Sequence, residues 1–329
     1  LSFLFFFRYF MFVSSKNGRD IVKRKNKFVP RLFLSVLIFV LVAVFSFFIV
    51  RLFTFSVKNK TSSTYIYKKW AENDYAAVYE ACTQKLLKQP YNNLALTFKG
   101  YAGFYLSVSQ VDSSVARDYL DEAIFNLRVA LQSARKSVIP QLKYMLGKCY
   151  FYKNTLSSYY YYADLAVNYL VEAQDSGYKS DDIFEYLGLS YASLGKTSES
   201  IAAFTEALLV RESDSLLLSI AEQYSKAGQK SAAKQYLHRV ITQDDDESLV
   251  LRSRLLLARI YVEEKDFSSA RKEFEAILQK NENSADAHYG LGVVYEQQGD
   301  LVRARAEWRK ALRLQINHPD ALKKISEYK

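Results

Sequence analysis

The chain has 329 residues, of which 50% are apolar and 24% charged, so a sizeable core is expected and wholesale disorder is excluded. Its 11 glycines and 4 prolines are too few for the tight turns of an all-β fold or the phosphate loops of a nucleotide-binding α/β fold. The net charge of +10 is local: residues 1–60 hold 11 of the 45 Lys and Arg and one of the 35 acids, leaving 34 of each in 61–329 and no basic face for nucleic acid.

Residues 1–31 are read as a basic cytoplasmic N-terminus. They open on an apolar, aromatic run, Leu1 to Val13, too short to span a bilayer. It is either an over-extended start, with initiation at Met11, or a membrane-surface segment; the first reading is preferred. From Leu32 to Val50 the only polar residues are Ser35 and Ser46. At about 1.5 Å per residue such a helix covers close to ~30 Å of hydrocarbon, so residues 32–51 are predicted to be a transmembrane helix. A cleaved signal peptide has a shorter apolar region of about 7–15 residues ending in small residues, whereas this run ends in Phe45, Phe47, Phe48 and Ile49. The segment is therefore expected to be an uncleaved signal-anchor. Seven basic residues from Lys16 to Arg31 precede it and five from Arg51 to Lys69 follow, a bias toward a cytoplasmic N-terminus. In a bacterium that places the chain in the inner membrane as a single pass, with everything beyond the polar tether 52–65 in the periplasm.

Beyond the tether a period emerges. Residues 285–318 carry Leu291-Gly292, Tyr295, Gly299, Ala304, Trp308 and Ala311. The preceding unit repeats the chemistry as Leu257-Ala258, Tyr261, Ala270 and Phe274. Before it come Ile220-Ala221, Tyr224, Gly228, Ala233 and Leu237, and before those Leu187-Gly188, Tyr191, Gly195, Phe204 and Ala207. Small residues are needed where two helices of a unit approach closely, tyrosines fill the wider gaps, and glycines suit a turn requiring positive φ. Upstream the pattern stretches. Tyr150 to Ala166 and Tyr105 to Ala123 are longer than Tyr295 to Ala304, which implies insertions in the membrane-proximal units.

This pattern resembles the tetratricopeptide repeat (TPR), a helix–turn–helix unit of about 34 residues. The resemblance covers roughly 66–329 and implies an all-α, right-handed solenoid preceded by the N-terminal helix. The expected units are 66–94, 95–139, 140–180, 181–213, 214–250, 251–284 and 285–318, with a solvating cap at 319–329.

In TPR proteins the first helix of each unit lines a ligand groove. Carried onto this chain, the candidate protein-binding residues are Tyr144, Lys148, Phe151 and Tyr152 in one unit, and Arg252, Arg259, Tyr289 and Glu296 further on. Asp182, Glu185, Glu222, Lys226 and Glu263 fall on the same face. The lysines, arginines and asparagines with which TPR cochaperones grip an acidic C-terminal peptide are not reproduced here. Four successive tyrosines, Tyr159, Tyr160, Tyr161 and Tyr162, cannot all face one core, because neighbouring helical residues point about 100° apart. They form either a contact patch or part of a locally packed, extended second helix.

No reaction is expected. His238, His288 and His318 lie far apart in sequence and no nucleotide-loop or nucleophile-elbow motif occurs. Asp244 to Glu247 lacks the glycine and terminal glutamate of a calcium loop and reads as a solvated helix start. Cys82 and Cys149 occupy apolar helix positions and read as small buried side chains rather than metal ligands. The expectation is a non-enzymatic, membrane-anchored scaffold with no cofactor, no metal, no nucleic acid and no small-molecule substrate, its partners being other proteins. The alternative is a structural subunit of a large envelope assembly, such as a spirochaete flagellar collar or a secretion or envelope-assembly complex.

Overall fold

The computed structural model describes residues 37–51, 60–157, 162–243 and 246–328, and the chain divides into two units, 1–60 and 61–329. In the first unit residues 37–51 form helix α1, exposed on every side despite its apolar sequence. α1 is about 22 Å long at the usual helical rise. Among the described residues no helix is long and apolar enough to cross a membrane. Residues 32–36, which would complete the expected span, lie outside the described residues, as do 52–59 of the expected tether.

In the second unit every regular element among the described residues is a helix, and the helices come in antiparallel pairs. These are α2 (Ser63–Ala71) with α3 (Tyr75–Lys88), α4 (Asn93–Val108) with α5 (Ser113–Gln132), and α6 (Ile139–Leu156) with α7 (Ala163–Asp175). Then follow α8 (Ile183–Ser193) with α9 (Thr197–Val210), and α10 (Asp214–Lys226) with α11 (Lys230–Gln243). The last pairs are α12 (Glu247–Glu263) with α13 (Phe267–Lys280) and α14 (Ala285–Gln297) with α15 (Leu301–Leu314), closed by α16 (Pro319–Glu327). α2 opens inside the stretch expected as tether because the Ser62 hydroxyl accepts from the Tyr65 N–H and caps it.

The second helices bury a narrow stripe at i, i+4, i+7: Ala233, Leu237 and Val240 in α11, Ala270, Phe274 and Ile277 in α13, Ala304, Trp308 and Ala311 in α15. Each stripe meets a small residue of the first helix. A Cβ on Gly292 would lie 2.3 Å from Trp308 Nε1, one on Gly188 2.4 Å from Phe204 Cδ1, and one on Gly147 2.6 Å from Leu170 Cγ. Two residues before Gly292, Gly290 gives the same room to Phe274 of the preceding pair. Each pair is thus locked both to itself and to its neighbour.

Outside the two stretched pairs, α4–α5 and α6–α7, the turn within a pair follows one scheme. The N–H of the third residue after the helix bonds back to a carbonyl in its last turn: Lys196 to Tyr191, Gln229 to Tyr224, Asp266 to Tyr261, Asp300 to Tyr295. The residue before it takes positive φ, +70° at Gly195, +74° at Gly228 and +83° at Gly299. The α12–α13 turn puts Lys265 there, at φ 63°. A side chain in this region costs about 1–2 kcal/mol, partly offset by the extra chain entropy glycine loses on folding. Lys265→Gly is therefore expected to stabilise the α12–α13 pair by about 0.5–1 kcal/mol, read as a raised Tm; a lowered Tm would show that the lysine side chain contributes more than its backbone strain.

The two stretched pairs absorb their extra length differently. In α4–α5 it lengthens both helices, whereas in α6–α7 it is shared between α6 and the connection 157–162. First helices of adjoining pairs touch each other (α4 with α6, α6 with α8, α8 with α10, α10 with α12, α12 with α14), and second helices make no comparable contact. The first helices therefore form the inner, more crowded side of the array. Cys82 and Cys149 are buried and free, with burial pushing the Cys82 thiol up to about 12 and the Cys149 thiol upward too. Both are inert at neutral pH.

Candidate functional site

On the inner side of α10, α12 and α14 two hollows adjoin. One of about 300 Å³ is bordered by Glu222 and Lys226 of α10 and by Arg252 and Arg259 of α12. The next, about 240 Å³, is bordered by Arg259, Glu263, Asp286 and Tyr289, over an apolar floor that includes Val262 and Val293. Arg259 belongs to both, so they form one strip across three pairs. Its charges are neutralised between neighbours: Arg252 Nη2 lies 3.5 Å from Glu222 Oε1 and Arg259 Nη2 2.8 Å from Asp286 Oδ1. Exposed pairs of this kind contribute at most about 1 kcal/mol, so they hold the strip only weakly. Of the residues expected on the binding face, Arg252, Arg259 and Tyr289 are brought together here.

Glu296 is placed otherwise. Its side chain is only 8% exposed, and Oε1 accepts from Lys324 Nζ at 2.8 Å and Tyr328 OH at 2.6 Å. The carboxylate fastens the cap helix α16, whose return over α14 is not encoded in the repeat period.

Tyr144 and Lys148 are buried as well. Lys148 Nζ lies 2.9 Å from Asp182 Oδ2 and 3.2 Å from the Tyr144 hydroxyl, which itself donates to Asp182 Oδ1. Ser180 donates to the same carboxylate, and its oxygen lies 3.1 Å from Tyr144 OH. Rings of Tyr186, Tyr144 and Phe104 surround the ammonium at 4.8, 5.2 and 5.5 Å. Burial alone would raise the Asp182 carboxyl, but the hydrogen bonds from Ser180, Tyr144 and Lys148 outweigh it and hold the pKa below its ordinary value. This cluster ties α6 to the start of α8.

Phe151 and Tyr152 are half-buried and pack on Tyr186, at centroid distances of 5.1 and 6.2 Å. Tyr162 lies in the α6–α7 connection, stacked on Tyr150, with Lys153 Nζ 4.8 Å from its centroid. Tyr159, Tyr160 and Tyr161 lie outside the described residues.

A concavity of about 790 Å³ sits at the other end of the inner side. α2 brings Tyr67 and Trp70 to it, and α4 brings Thr97, Phe98, Tyr101 and Tyr105 at helical spacing. Ser133, Arg135 and Val138 of the α5–α6 connection close a second side; Gln141, Tyr144 and Met145 of α6, with Tyr178, close a third. Trp70 sets the wall, with the Phe98 ring edge-on at 5.4 Å and the Tyr105 ring at 5.8 Å. The repeat period places Tyr105 here as a packing residue and Tyr144 as a groove residue, but does not imply the cavity, because two connections between units help to build it. The density of aromatic residues in 65–105 was the available signal.

Among the described residues no group of three or more His, Cys, Asp or Glu is arranged to hold a metal ion. Two stretches match family models described as tetratricopeptide repeat, residues 215–246 and 255–320, so the chain carries such repeats. The C-terminal part of a TPR repeat-containing protein from Cytophaga hutchinsonii is similar at 16% identity and TM-score 0.57, covering 79% of this chain and 98% of that one. A tetratricopeptide repeat protein from Parabacteroides merdae is similar at 16% identity and TM-score 0.51, covering 82% of this chain and 96% of that one. At these identities the likeness concerns the fold. No curated protein sequence matches the chain.

Proposed function

We propose that this chain is a non-enzymatic, membrane-anchored scaffold that binds segments of other proteins along the inner strip of α10, α12 and α14. The observation that carries the reading is the strip itself: two hollows joined by Arg259, with an apolar floor and weak ion pairs at the rim. Mixed charge beside tyrosine and valine suits an amphipathic peptide. The apolar run from Leu32 to Val50 supports a single-pass anchor in a bacterial inner membrane, and the basic residues before it support a cytoplasmic N-terminus and a periplasmic array.

A photoreactive amino acid placed at Arg252, Arg259 or Tyr289 of the full chain in cells should cross-link to a discrete protein, while the same probe at exposed Arg309 of α15 should not. Indiscriminate adducts at all four positions, or none, would overturn the strip as the binding face. Separately, the full chain should stay in the membrane pellet through alkaline carbonate extraction and should leave it once residues 32–51 are deleted. Release of the intact chain would refute the anchor without touching the binding claim.

A further inference from the structure

Turns within a pair lie along one edge of the array and connections between pairs along the other, because every pair is antiparallel. On the connection edge the first two pairs stand apart from the rest. The end of α3 and its connection to α4 carry Lys85, Leu87, Lys88 and Tyr91, with Leu87 73% and Tyr91 83% exposed. The connection from α5 to α6 adds exposed Arg135 and Lys136. It lies alongside, since Asn93 Nδ2 at the start of α4 donates to Ala130 O at 2.7 Å and to Ser133 Oγ at 3.1 Å. Large apolar side chains left in water and ringed by cations mark a surface that meets something else.

The charge is local to this edge and to these pairs. Residues 61–329 are balanced, yet no Asp or Glu occurs in 85–93 or 131–141. The turns on the opposite edge of the same pairs hold Glu72, Asp74 and Asp112 and no basic residue. On the connection edge of later pairs the sign reverses: Asp181 and Asp182, Glu212, three aspartates at 244–246, and Glu282, with Lys179 and Arg211 as the basic residues there. Along this edge the basic, apolar patch therefore sits at the end of the array that follows the apolar run. Lys85 Nζ lies 3.2 Å from Ser63 Oγ, so the patch flanks the residue where α2 begins. From Val50 to Ser63 an extended chain covers at most about 45 Å, which keeps the patch within reach of a bilayer that holds 32–50.

We propose that this edge rests on a bilayer containing anionic lipid, with Leu87 and Tyr91 in the headgroup layer and Lys85, Lys88, Arg135 and Lys136 over the phosphates. Apolar burial and charge attraction act together there, each cation within a Debye length strengthening attachment by about fivefold. The acidic turns then face away, and the array holds one orientation at the membrane instead of swinging on its tether. The inference rests on the proposed anchor, which brings the edge to the membrane, and is independent of the strip on α10, α12 and α14.

The test uses the full chain in phosphatidylcholine vesicles, with or without phosphatidylglycerol, that carry a lipid with a nitroxide in its upper acyl chain. Leu87→Cys takes an environment-sensitive dye at that position alone, because Cys82 and Cys149 are buried. Tyr91→Cys repeats the reading from a second site, and Val111→Cys, on the opposite edge and 100% exposed, is the control. The expected result is loss of about half or more of the fluorescence in Leu87→Cys and Tyr91→Cys with phosphatidylglycerol, little loss in Val111→Cys, and partial recovery in high salt. Lys88→Glu with Arg135→Glu and Lys136→Glu should abolish the quenching with unchanged circular dichroism. The inference is overturned by dyes at Leu87→Cys and Tyr91→Cys that stay unquenched in a chain floating with the vesicles, or by equal quenching in Val111→Cys. Quenching indifferent to phosphatidylglycerol and to the charge reversals overturns it too. These outcomes leave the anchor standing, whereas a chain that floats with neither vesicle refutes the anchor and this inference together.

Discussion

Trp308→Ala is expected to destabilise the C-terminal end of the array by about 3–5 kcal/mol, the range for emptying a fully buried tryptophan site. The indole is 0% exposed, lies against the glycine face of α14 at Gly292, and stacks on Tyr328 at 5.8 Å. Alanine would remove the contact that joins α14 to α15 and the platform that α16 rests on. Neighbour-only contacts confine the damage. Hydrogen exchange should accelerate through α14, α15 and α16 while α4 to α7 keep their protection. Trp308→Phe should cost much less, since it retains a ring and removes an indole N–H that has no partner. A Trp308→Ala protein melting within a degree or two of the wild type, with α14 to α16 protected, would refute this account of the terminal packing.

The second large effect is expected at Asp182. Asp182→Ala leaves the Lys148 ammonium, 11% exposed, among rings without its counter-charge. Breaking a fully buried pair costs about 3–5 kcal/mol; because Asp182 keeps 31% of its side chain in water, roughly 2–3 kcal/mol is expected. Lys148→Met with Asp182→Ala should recover much of the loss, since apolar replacement of both partners removes the desolvation problem. The pH dependence has a definite sign. The folded-state pKa of Asp182 lies below its ordinary value, so its contribution is complete above the unfolded-state pKa of about 3.9 and is lost as the pH falls through the folded value. The stability gap between wild type and Asp182→Ala should be constant from pH 7 to about 5 and close in strong acid. A gap that instead grew on acidification would show that the carboxylate is not stabilised by its neighbours.

The features legible in the sequence are those that recur with the period. Gly188 and Gly292 were expected where two helices meet, and Phe204 and Trp308 occupy the space. Gly195, Gly228 and Gly299 were expected in left-handed turns, and they adopt them. Lys265 was invisible to that rule because the turn tolerates strain when its hydrogen bonds and the following Asp266 cap are kept. Placement on a helix face was less informative. Tyr144, Lys148 and Glu296 share the inward register of a first helix, yet other segments cover them: the connection between two units at 178–182, with Asp182 turned from the groove face to an ion pair, in one case and the cap helix in the other. The aromatic cavity shows the same limit, since one of its walls, Ser133, Arg135 and Val138, belongs to a connection whose course no period encodes.

First helices touch across pairs, whereas each second helix reaches the next pair only through that pair's first helix, so successive pairs are joined more closely along the inner edge than along the outer one. Such a body is stiff against shear but soft against bending, like a fan held at its ribs. Small rotations at each inner contact add up along seven pairs, so the width of the inner channel is an adjustable quantity. A change of curvature between pairs, rather than a rearrangement within one, is the deformation that this pattern of contacts resists least.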